Sequence, residues 1–266
     1  MPGPIFDTHA HYTSRQFDSD REELLSSLPG QGVVGVCEQA THSGTAAKAL
    51  ALARRYDWMV CAVGIHPESL MEEDAATRLV YGGDWRKELK EMEPLFEDSK
   101  VVAVGECGLD HHWPIPAEEQ YALFEAQIRL ALELDKPIVV HDREAHAEVY
   151  ELLKKYKPKG VVHCYSGSAD DALWLAKQGL FIGFGGSCTF KGAKRAVKAI
   201  EALSLENIVL ETDCPYMAPQ PVRGSRCDSG MIRYVGEFIA EHKAVSAEEV
   251  FRITCQNAHA LYGLEK

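Results

Sequence analysis

The chain has 266 residues, a hydrophobic fraction of 46% and a formal net charge of −12. Its length is close to the roughly 250 residues of a β/α barrel, and its apolar content is enough for one large core. The negative charge excludes a general attraction to nucleic acid or to an anionic membrane, although a local cationic site stays open.

Short apolar runs alternate with amphipathic stretches in chain order. Each run predicts a strand that is buried on both faces, as in a parallel sheet. The runs are Ile5–Phe6, Val33–Cys37, Trp58–Val63, Val101–Val104, Ile138–Val140, Val161–Val162, Leu180–Ile182 and Ile208–Leu210. The predicted helices are Asp20–Leu28, Thr45–Tyr56, Glu118–Leu134, Glu144–Tyr156, Ala169–Gln178, Ala193–Ala202 and Ser229–His242.

Eight strands that alternate with helices indicate βα units and a parallel sheet. An eight-stranded barrel and an open doubly wound sheet both fit this pattern. No GxGxxG motif follows the first strand, so the main dinucleotide-binding signature is missing. No Ser/Gly-rich linker divides the chain, and we expect one domain over residues 1–266. The longest stretches predicted to be irregular are Pro67–Asp84 and Cys214–Asp228.

The eight cysteines include no CxxC pair, and a chain of this size does not need disulfides for stability. We therefore expect reduced thiols. The first residues lack the basic and apolar regions of a signal peptide, and the apolar runs are far shorter than the roughly 20 residues of a membrane span. These features predict a soluble cytoplasmic protein without membrane association or an obligate protein partner.

Polar residues of metal-binding type follow the apolar strands. His9 and His11 lie two positions apart at the end of the first strand, where residues i and i+2 point to one face. In a barrel, the carboxyl ends of all strands converge on the active-site face. The other residues of this kind, each at or just past the end of a strand, are Glu106, His141, His163 and Asp213.

Four histidines and two carboxylates form a mixed nitrogen and oxygen set. Such a set suits Zn²⁺, Mn²⁺, Fe²⁺ or Ni²⁺ and is a poor all-oxygen cage for Ca²⁺. A single histidine at a strand end is commonly an ordinary polar terminus. Burying all six residues without an ion would leave several polar groups in need of partners. The pattern therefore predicts a metal site.

The same residues lie in motifs that resemble the TatD family of metal-dependent hydrolases and deoxyribonucleases. The motifs cover nearly the whole chain in the family's order, and Thr254–Gly263 resembles the family's C-terminal helix. They are Phe6-Asp-Thr-His-Ala-His-Tyr, Gly64-Ile-His-Pro, Gly105-Glu-Cys-Gly-Leu-Asp, Pro137-Ile-Val-Val-His-Asp-Arg-Glu-Ala, His163-Cys-Tyr-Ser-Gly and Glu211-Thr-Asp-Cys-Pro-Tyr.

The resemblance implies a TIM-type (β/α)₈ barrel with two divalent ions, whose identity among Zn²⁺, Mg²⁺, Mn²⁺ and Ni²⁺ stays open. By the family pattern, one ion would take His9, His11, Glu106 and Asp213. The other would take Glu106, His141 and His163, so that Glu106 bridges the two. The implied activity is phosphodiester hydrolysis of DNA, often from the 3′ end of single strands. Nucleic acid, most of all single-stranded DNA, is the implied partner.

Several candidate substrate contacts accompany the metal ligands. Arg223 and Arg226 lie in the loop after the last strand, and arginine suits bidentate phosphate contacts, although a solvated loop is the alternative. His66 either contacts a substrate phosphate or stabilises a turn. Ser166 either offers a hydroxyl donor or belongs to a βα turn with a helix N-cap. The cluster Lys191, Lys194, Arg195 and Lys198 is either a solvated helix face or a track for a nucleic-acid backbone.

The chain departs from the family pattern in these regions. Glu68 stands where the family often has another histidine after Gly64-Ile-His-Pro. The usual Arg-Gly-x-Arg-Asn-Glu-Pro segment reads Arg223-Gly-Ser-Arg-Cys-Asp-Ser. The altered loop leaves the substrate less defined than the metal ligands.

Asp213 and Glu106 are the predicted catalytic residues. Asp213 would accept the proton of the attacking water as a general base, and the resemblance makes Glu106 the shared metal ligand. Glu211 and Asp7 are expected to orient or support these groups from behind. Two alternatives stay open: a hydrolase of another ester or amide, such as an aminoacyl-tRNA deacylase, and an inactive barrel that serves as a binding scaffold.

Overall fold

The computed structural model describes residues 3–265, in which strands alternate with helices. The strands are β1 (Ile5–Ala10), β2 (Val33–Gln39), β3 (Met59–Val63), β4 (Val101–Asp110), β5 (Ile138–Arg143), β6 (Gly160–Val162), β7 (Leu180–Phe184) and β8 (Ile208–Leu210). The helices are α1 (Arg21–Ser27), α2 (Ser43–Ala53), α3 (Ala76–Leu79), α4 (Trp85–Met92), α5 (Ala117–Glu133), α6 (His146–Tyr156), α7 (Ala169–Lys177), α8 (Lys194–Ala202), α9 (Ile232–Lys243) and α10 (Ala247–Tyr262).

The eight strands form one sheet in the order β1 to β8. The pairs β1–β2, β3–β4, β4–β5, β5–β6 and β7–β8 are parallel. A parallel bridge between Ala10 and Cys214 connects the end of β1 to the chain just after β8. A helix lies in each connection, as is usual for crossovers between parallel strands. This order confirms the predicted fold class, a TIM-type (β/α)₈ barrel.

Each predicted apolar run overlaps a strand; several strands continue past their runs, and β4 does so furthest. It continues to Asp110, and all ten of its residues are buried. The pattern of apolar residues stops at Val104, because the strand continues through glycine and a buried glutamate.

The prediction of an irregular segment over Pro67–Asp84 is wrong in part. A 3₁₀ turn (Pro67–Leu70) and the short helix α3 lie in it. The helix α4 begins directly after Asp84, whose side chain accepts a hydrogen bond from the Lys87 N–H. Elements of about one turn show no apolar periodicity, and the sequence pattern therefore gives no sign of them.

The described residues divide into two compact units. The first comprises the chain up to Glu38 and from His163 onward, and the second comprises Gln39–Val162. In the first unit, α10 is tied to the β8 region by Asn257, which donates to the carbonyls of Leu205 and Ile208 at 2.7 Å each. The prediction of one domain over residues 1–266 stays a prediction.

Two further expectations concern helix length and thiols. Within residues 3–265, no helix is both long enough and apolar enough to cross a membrane. All eight cysteines lie in this range and carry free thiols, as their spacing predicts.

Candidate metal centre

Three side chains of the first unit converge at the end of β1. The Nε2 atoms of His9 and His11 are 3.2 Å apart, and they lie 3.6 and 3.2 Å from Oδ1 of Asp213, which follows β8. His9 is fully buried, whereas His11 and Asp213 are 14% and 17% exposed. Burial acts to raise the pKa of Asp213, but contacts with His11 and the other histidines lower it overall. The open side of the group is therefore an ionised carboxylate beside two imidazoles.

The buried carboxylate of Asp7 holds the backbone beneath this group. Its Oδ1 accepts hydrogen bonds from the N–H groups of His9 and Thr212 at 3.1 and 3.0 Å, and its Oδ2 accepts one from the Ser229 hydroxyl at 2.6 Å. Burial raises the pKa of Asp7 to about 6 despite these bonds. Asp7 thus holds the backbone of the two segments that carry His9 and Asp213. Its hydrogen bonds come from backbone amides and from hydroxyl groups.

A second group in the first unit surrounds His163, which comes directly after β6. Its ring stacks on that of His9 with centroids 3.9 Å apart and planes 10° apart, and its Nδ1 lies 3.7 Å from Oε1 of Glu211. That Oε1 accepts a hydrogen bond from the Cys164 N–H. A Cβ on Gly183 would lie 2.4 Å from Oε2 of Glu211, so a side chain there would displace the carboxylate. Burial raises the pKa of Glu211 to about 8.

The second unit has its own group of ligand-type residues. Oε1 of Glu106, on β4, lies 3.0 Å from Nδ1 of His141 and 3.4 Å from Nε2 of His66. On the other edge of the imidazole, Nε2 of His141 lies 3.0 Å from Oδ2 of Asp110. Burial lowers the pKa of His141, but the hydrogen bonds to Asp110 and Glu106 outweigh this effect and raise it to about 10.

The spacing of these donors fits a divalent ion. Ligands about 2.1 Å from one ion in tetrahedral geometry lie roughly 3.4 Å from one another. The donor atoms of His9, His11 and Asp213 are separated by 3.2 to 3.6 Å. Those of His66, Glu106 and His141 also lie within 4.8 Å of one another. Both sets join imidazole nitrogen with carboxylate oxygen, which suits zinc and similar transition metals.

Asp110 has the position of a residue that orients a metal ligand. A ligating histidine usually donates its second ring N–H to a carboxylate, which fixes its tautomer. Nδ1 of His141 faces Glu106 and His66, and Nε2 faces Asp110. His141 can therefore offer Nδ1 to an ion while Asp110 accepts the Nε2 proton.

The two loop arginines differ in their surroundings. Arg226 forms a double ion pair with Asp20, with Nη1–Oδ1 and Nη2–Oδ2 distances of 2.8 and 2.5 Å, and its guanidinium lies over the ring of Phe17. Arg223 is exposed, and its guanidinium carbon lies 4.2 Å from the ring centroid of Phe190. Arg226 therefore braces the loop, while Arg223 keeps its hydrogen-bond donors available to solvent.

Ser166 and His66 are two further predicted substrate contacts, and they lie in the loops that follow β6 and β3. Ser166 is exposed, and the N-cap of α7 is Ser168, whose hydroxyl accepts a hydrogen bond from the Asp171 N–H. His66 is the N-cap of the 3₁₀ turn that follows β3, and its Nδ1 accepts a hydrogen bond from the Glu68 N–H at 3.2 Å. The turn-stabilising role of His66 is present, together with the contact to Glu106.

Three members of these groups have contacts that the sequence does not predict. The sequence suggests substrate or turn contacts for His66 and a supporting role for Glu211, but it does not place them beside Glu106 and His163. Asp110 ends the motif Gly105–Asp110, and its place at the end of a strand is the feature that could indicate a role in the site. Glu211 precedes Asp213 by two positions, so the period-two geometry of a strand indicated that both point to one side.

Comparisons with known proteins find similarity over nearly the whole chain. A family model described as "TatD related DNase" matches residues 6–263. The uncharacterized metal-dependent hydrolase YabD of Bacillus subtilis (strain 168) is 36% identical over 97% of this chain and 98% of its own. The 3′-5′ ssDNA/RNA exonuclease TatD of Cronobacter sakazakii is 34% identical over 81% of this chain and 80% of its own. The crystal structure of YjjV, a TatD homologue from Escherichia coli K12, superposes with a TM-score of 0.89 at 30% identity and covers 100% of both chains.

Proposed function

This chain belongs to the family of TatD-related DNases and is a metal-dependent hydrolase, and from that premise we propose that it is a 3′–5′ exonuclease on single-stranded DNA. The observation that carries the proposal is the convergence of His9, His11 and Asp213 within 3.6 Å of one another. A relative that is 34% identical bears the name of a 3′-5′ ssDNA/RNA exonuclease.

The ligand groups support the following ion-binding roles. His9, His11 and Asp213 would hold one divalent ion, and Glu106 with His141 would hold another, with His66 at the same carboxylate. Bound ions would supply Lewis acidity that activates water and offsets phosphate charge. That Glu106 is shared and that His163 serves the second ion remain predictions from the family pattern.

The chain's own residues then move the proton. The Asp213 carboxylate is partly exposed and lies beside His11 at 3.2 Å. It would accept a proton from the water that attacks phosphorus, as a general base within hydrogen-bond reach. The ring of His163 stacks on that of His9, and this contact would help to orient the His9 imidazole.

Substrate contacts come from the loops. Arg223 would donate to a phosphate oxygen, because guanidinium groups suit such oxygens. Ser166 is exposed and would add a hydroxyl donor, and His66 would approach the same substrate from the end of β3. The contact predicted for Arg226 requires it to exchange its bonds to Asp20 for the substrate. A cytoplasmic location is part of the proposal.

Cleavage of end-labelled DNA tests the proposal. Metal-stripped protein is refilled with Mg²⁺, Mn²⁺, Zn²⁺ or Ni²⁺ and mixed with single strands labelled at either end. We expect metal-dependent release of single nucleotides from the 3′ end, lost in His9→Ala/His11→Ala. The matched control is His112→Ala/His242→Ala, which removes two histidines bound to Glu144 and Glu201. Intact DNA with every metal would reject the nuclease.

One observation favours a second candidate, the hydrolysis of another ester such as that of an aminoacyl-tRNA. In the altered loop Arg226 is occupied by Asp20, so that loop offers one solvent-facing arginine rather than two. Cleavage of aminoacyl esters without cleavage of DNA would support this candidate. Metal binding without hydrolysis of either substrate would indicate a binding scaffold.

A further inference from the structure

An exposed basic surface lies beside the loops that follow β7 and β8. It consists of Lys191, Lys194 and Lys198 together with Arg223, arranged around Phe190. The three lysines and Phe190 line a cleft of about 300 Å³. All four cationic side chains are exposed. In a chain with a net charge of −12, this concentration of positive charge is a local exception.

Two loops of the first unit bring these residues together. β7 and β8 are parallel neighbours, with Phe184 paired to Leu210. Beyond them, the Thr189 hydroxyl accepts a hydrogen bond from the Gln220 N–H at 2.8 Å. A Cβ on Gly186 would lie only 2.0 Å from the carbonyl oxygen of Met217, so the two loops pack closely there. The basic surface is therefore formed by these two loops together with α8, which follows the first of them.

The charges of the basic surface are not neutralised within the described residues. Many other surface cations form ion pairs: Arg21–Asp18, Arg54–Asp98, Arg86–Glu119, Lys155–Glu125, Lys159–Asp135 and Arg226–Asp20. Within residues 3–265, no ion pair reaches Lys191, Lys194, Lys198 or Arg223. Glu201 lines the same cleft, but its carboxylate lies 3.2 Å from Nδ1 of His242.

The guanidinium group of Arg223 is positioned by an aromatic ring rather than by a carboxylate. Its guanidinium lies over the Phe190 ring at 4.2 Å, a cation–π contact that leaves the N–H groups at its edge open. Lys194 and Lys198 lie four positions apart on α8 and thus share one helix face. The surface therefore presents a planar donor and a row of ammonium groups to the same side.

We propose that this basic surface binds the phosphate backbone of a single-stranded nucleic acid, away from the phosphodiester that is cleaved. The inference rests on the proposed function and adds where the rest of the strand lies. Each lysine or arginine that contacts a phosphate releases counterions, which makes the affinity dependent on salt. On this proposal, a strand of several nucleotides contacts the basic surface, whereas a small phosphodiester such as bis(p-nitrophenyl) phosphate needs only the site of cleavage.

The test separates strand binding from chemistry. Binding of a labelled single strand of about 20 nucleotides is measured by fluorescence anisotropy on metal-stripped protein at several salt concentrations. We expect Lys191→Ala/Lys194→Ala/Lys198→Ala to weaken the Kd about ten-fold or more and to lower the slope of log Kd against log salt by about 2. Hydrolysis of bis(p-nitrophenyl) phosphate by the metal-loaded variant should equal that of the wild type.

The control removes the same charge elsewhere. Lys48→Ala/Lys90→Ala/Lys154→Ala takes exposed lysines from α2, α4 and α6 and should leave both Kd and slope unchanged. Equal losses in both triple variants, or no loss in the first, would overturn the proposal, as would a wild-type protein that does not bind the strand. A wild type that binds the strand through these lysines but does not cleave it would reject the nuclease and retain the basic surface.

Discussion

The side-chain amide of Gln127 bonds both backbone groups of Ile65. Its Oε1 accepts from the Ile65 N–H at 2.8 Å, and its Nε2 donates to the Ile65 carbonyl at 2.9 Å. On the same helix, α5, the amide of Gln120 binds the N–H and carbonyl of Asp110 at 2.7 and 3.0 Å. Both glutamines are fully buried. Each side-chain amide bonds the backbone as a neighbouring strand would. Gln127 thereby holds the chain just before His66, and Gln120 holds it at Asp110.

Gln127→Leu should destabilise the protein strongly. Leucine leaves the buried N–H and carbonyl of Ile65 without their partner, and each such loss costs about 1–3 kcal/mol. We expect the free energy of unfolding to fall by about 2–4 kcal/mol in urea titrations. The exposed control Gln256→Leu, on α10, should change it little. Equal stability of Gln127→Leu and wild type would show that Gln127 does not hold this strand end.

Asp110→Asn should weaken metal binding without preventing folding. The substitution removes the charge that faces Nε2 of His141 at 3.0 Å, and the loss of such an orienting carboxylate typically costs 10–100-fold in metal affinity. Competition with a metal-binding dye measures the affinity, and circular dichroism checks the fold. The matched control is Asp135→Asn, an exposed carboxylate after α5. An affinity equal to that of the wild type would contradict the orienting role.

Glu125 should give the protein an acid-sensitive ion pair. The Lys155 ammonium, with Tyr156 and Arg129, lowers the pKa of Glu125 to about 2 from 4.5. A carboxyl with a lowered pKa stabilises the fold above its unfolded pKa, and this contribution is lost as the pH falls through the folded value. The difference in stability between wild type and Glu125→Gln should be greatest above about pH 4.5 and shrink towards pH 2.

Urea unfolding at several pH values measures this difference. Glu133→Gln, an exposed substitution at the end of the same helix, is the control and should show no such trend. The Glu125 side chain is partly exposed, so solvent screens the pair and the effect should be small. A difference that grows on acidification would contradict the assignment.

Asp213→Asn should separate metal binding from catalysis. Asparagine keeps an oxygen for the ion but accepts a proton poorly, so we expect the single-turnover rate of DNA cleavage to fall by about 10²–10⁴-fold. Elemental analysis should show the wild-type metal content. Full activity with metal bound would reject Asp213 as the base and leave the ligand group intact.

The sequence predicts the strands and the residues at their ends better than it predicts contacts. The fold follows from eight apolar runs, because strands buried on both faces must be apolar. His9 and His11 share a face through simple strand periodicity, and the structure brings their Nε2 atoms to 3.2 Å. By contrast, the pairing of Arg226 with Asp20 joins residues 206 positions apart, and no local pattern encodes it.

The contacts of buried polar residues follow least directly from the sequence. Glu211 and Asp110 are carboxylates on or beside apolar strands, and their roles depend on which imidazole the fold places opposite them. The N-cap of α7 is also hard to predict from residue type, because Ser166 and Ser168 are both serines near the start of the helix. Only the start of α7 selects Ser168.

We propose above that metal held by the strand-end histidines and carboxylates drives phosphodiester cleavage. The most direct measurement is the rate of single-stranded DNA cleavage as Mn²⁺ is added back to metal-stripped protein, for wild type and His9→Ala/His11→Ala. We expect no cleavage without metal, a rate for the wild type that rises with bound ion, and no recovery in the variant. Equal cleavage by the variant, or cleavage by the stripped wild type, would contradict it.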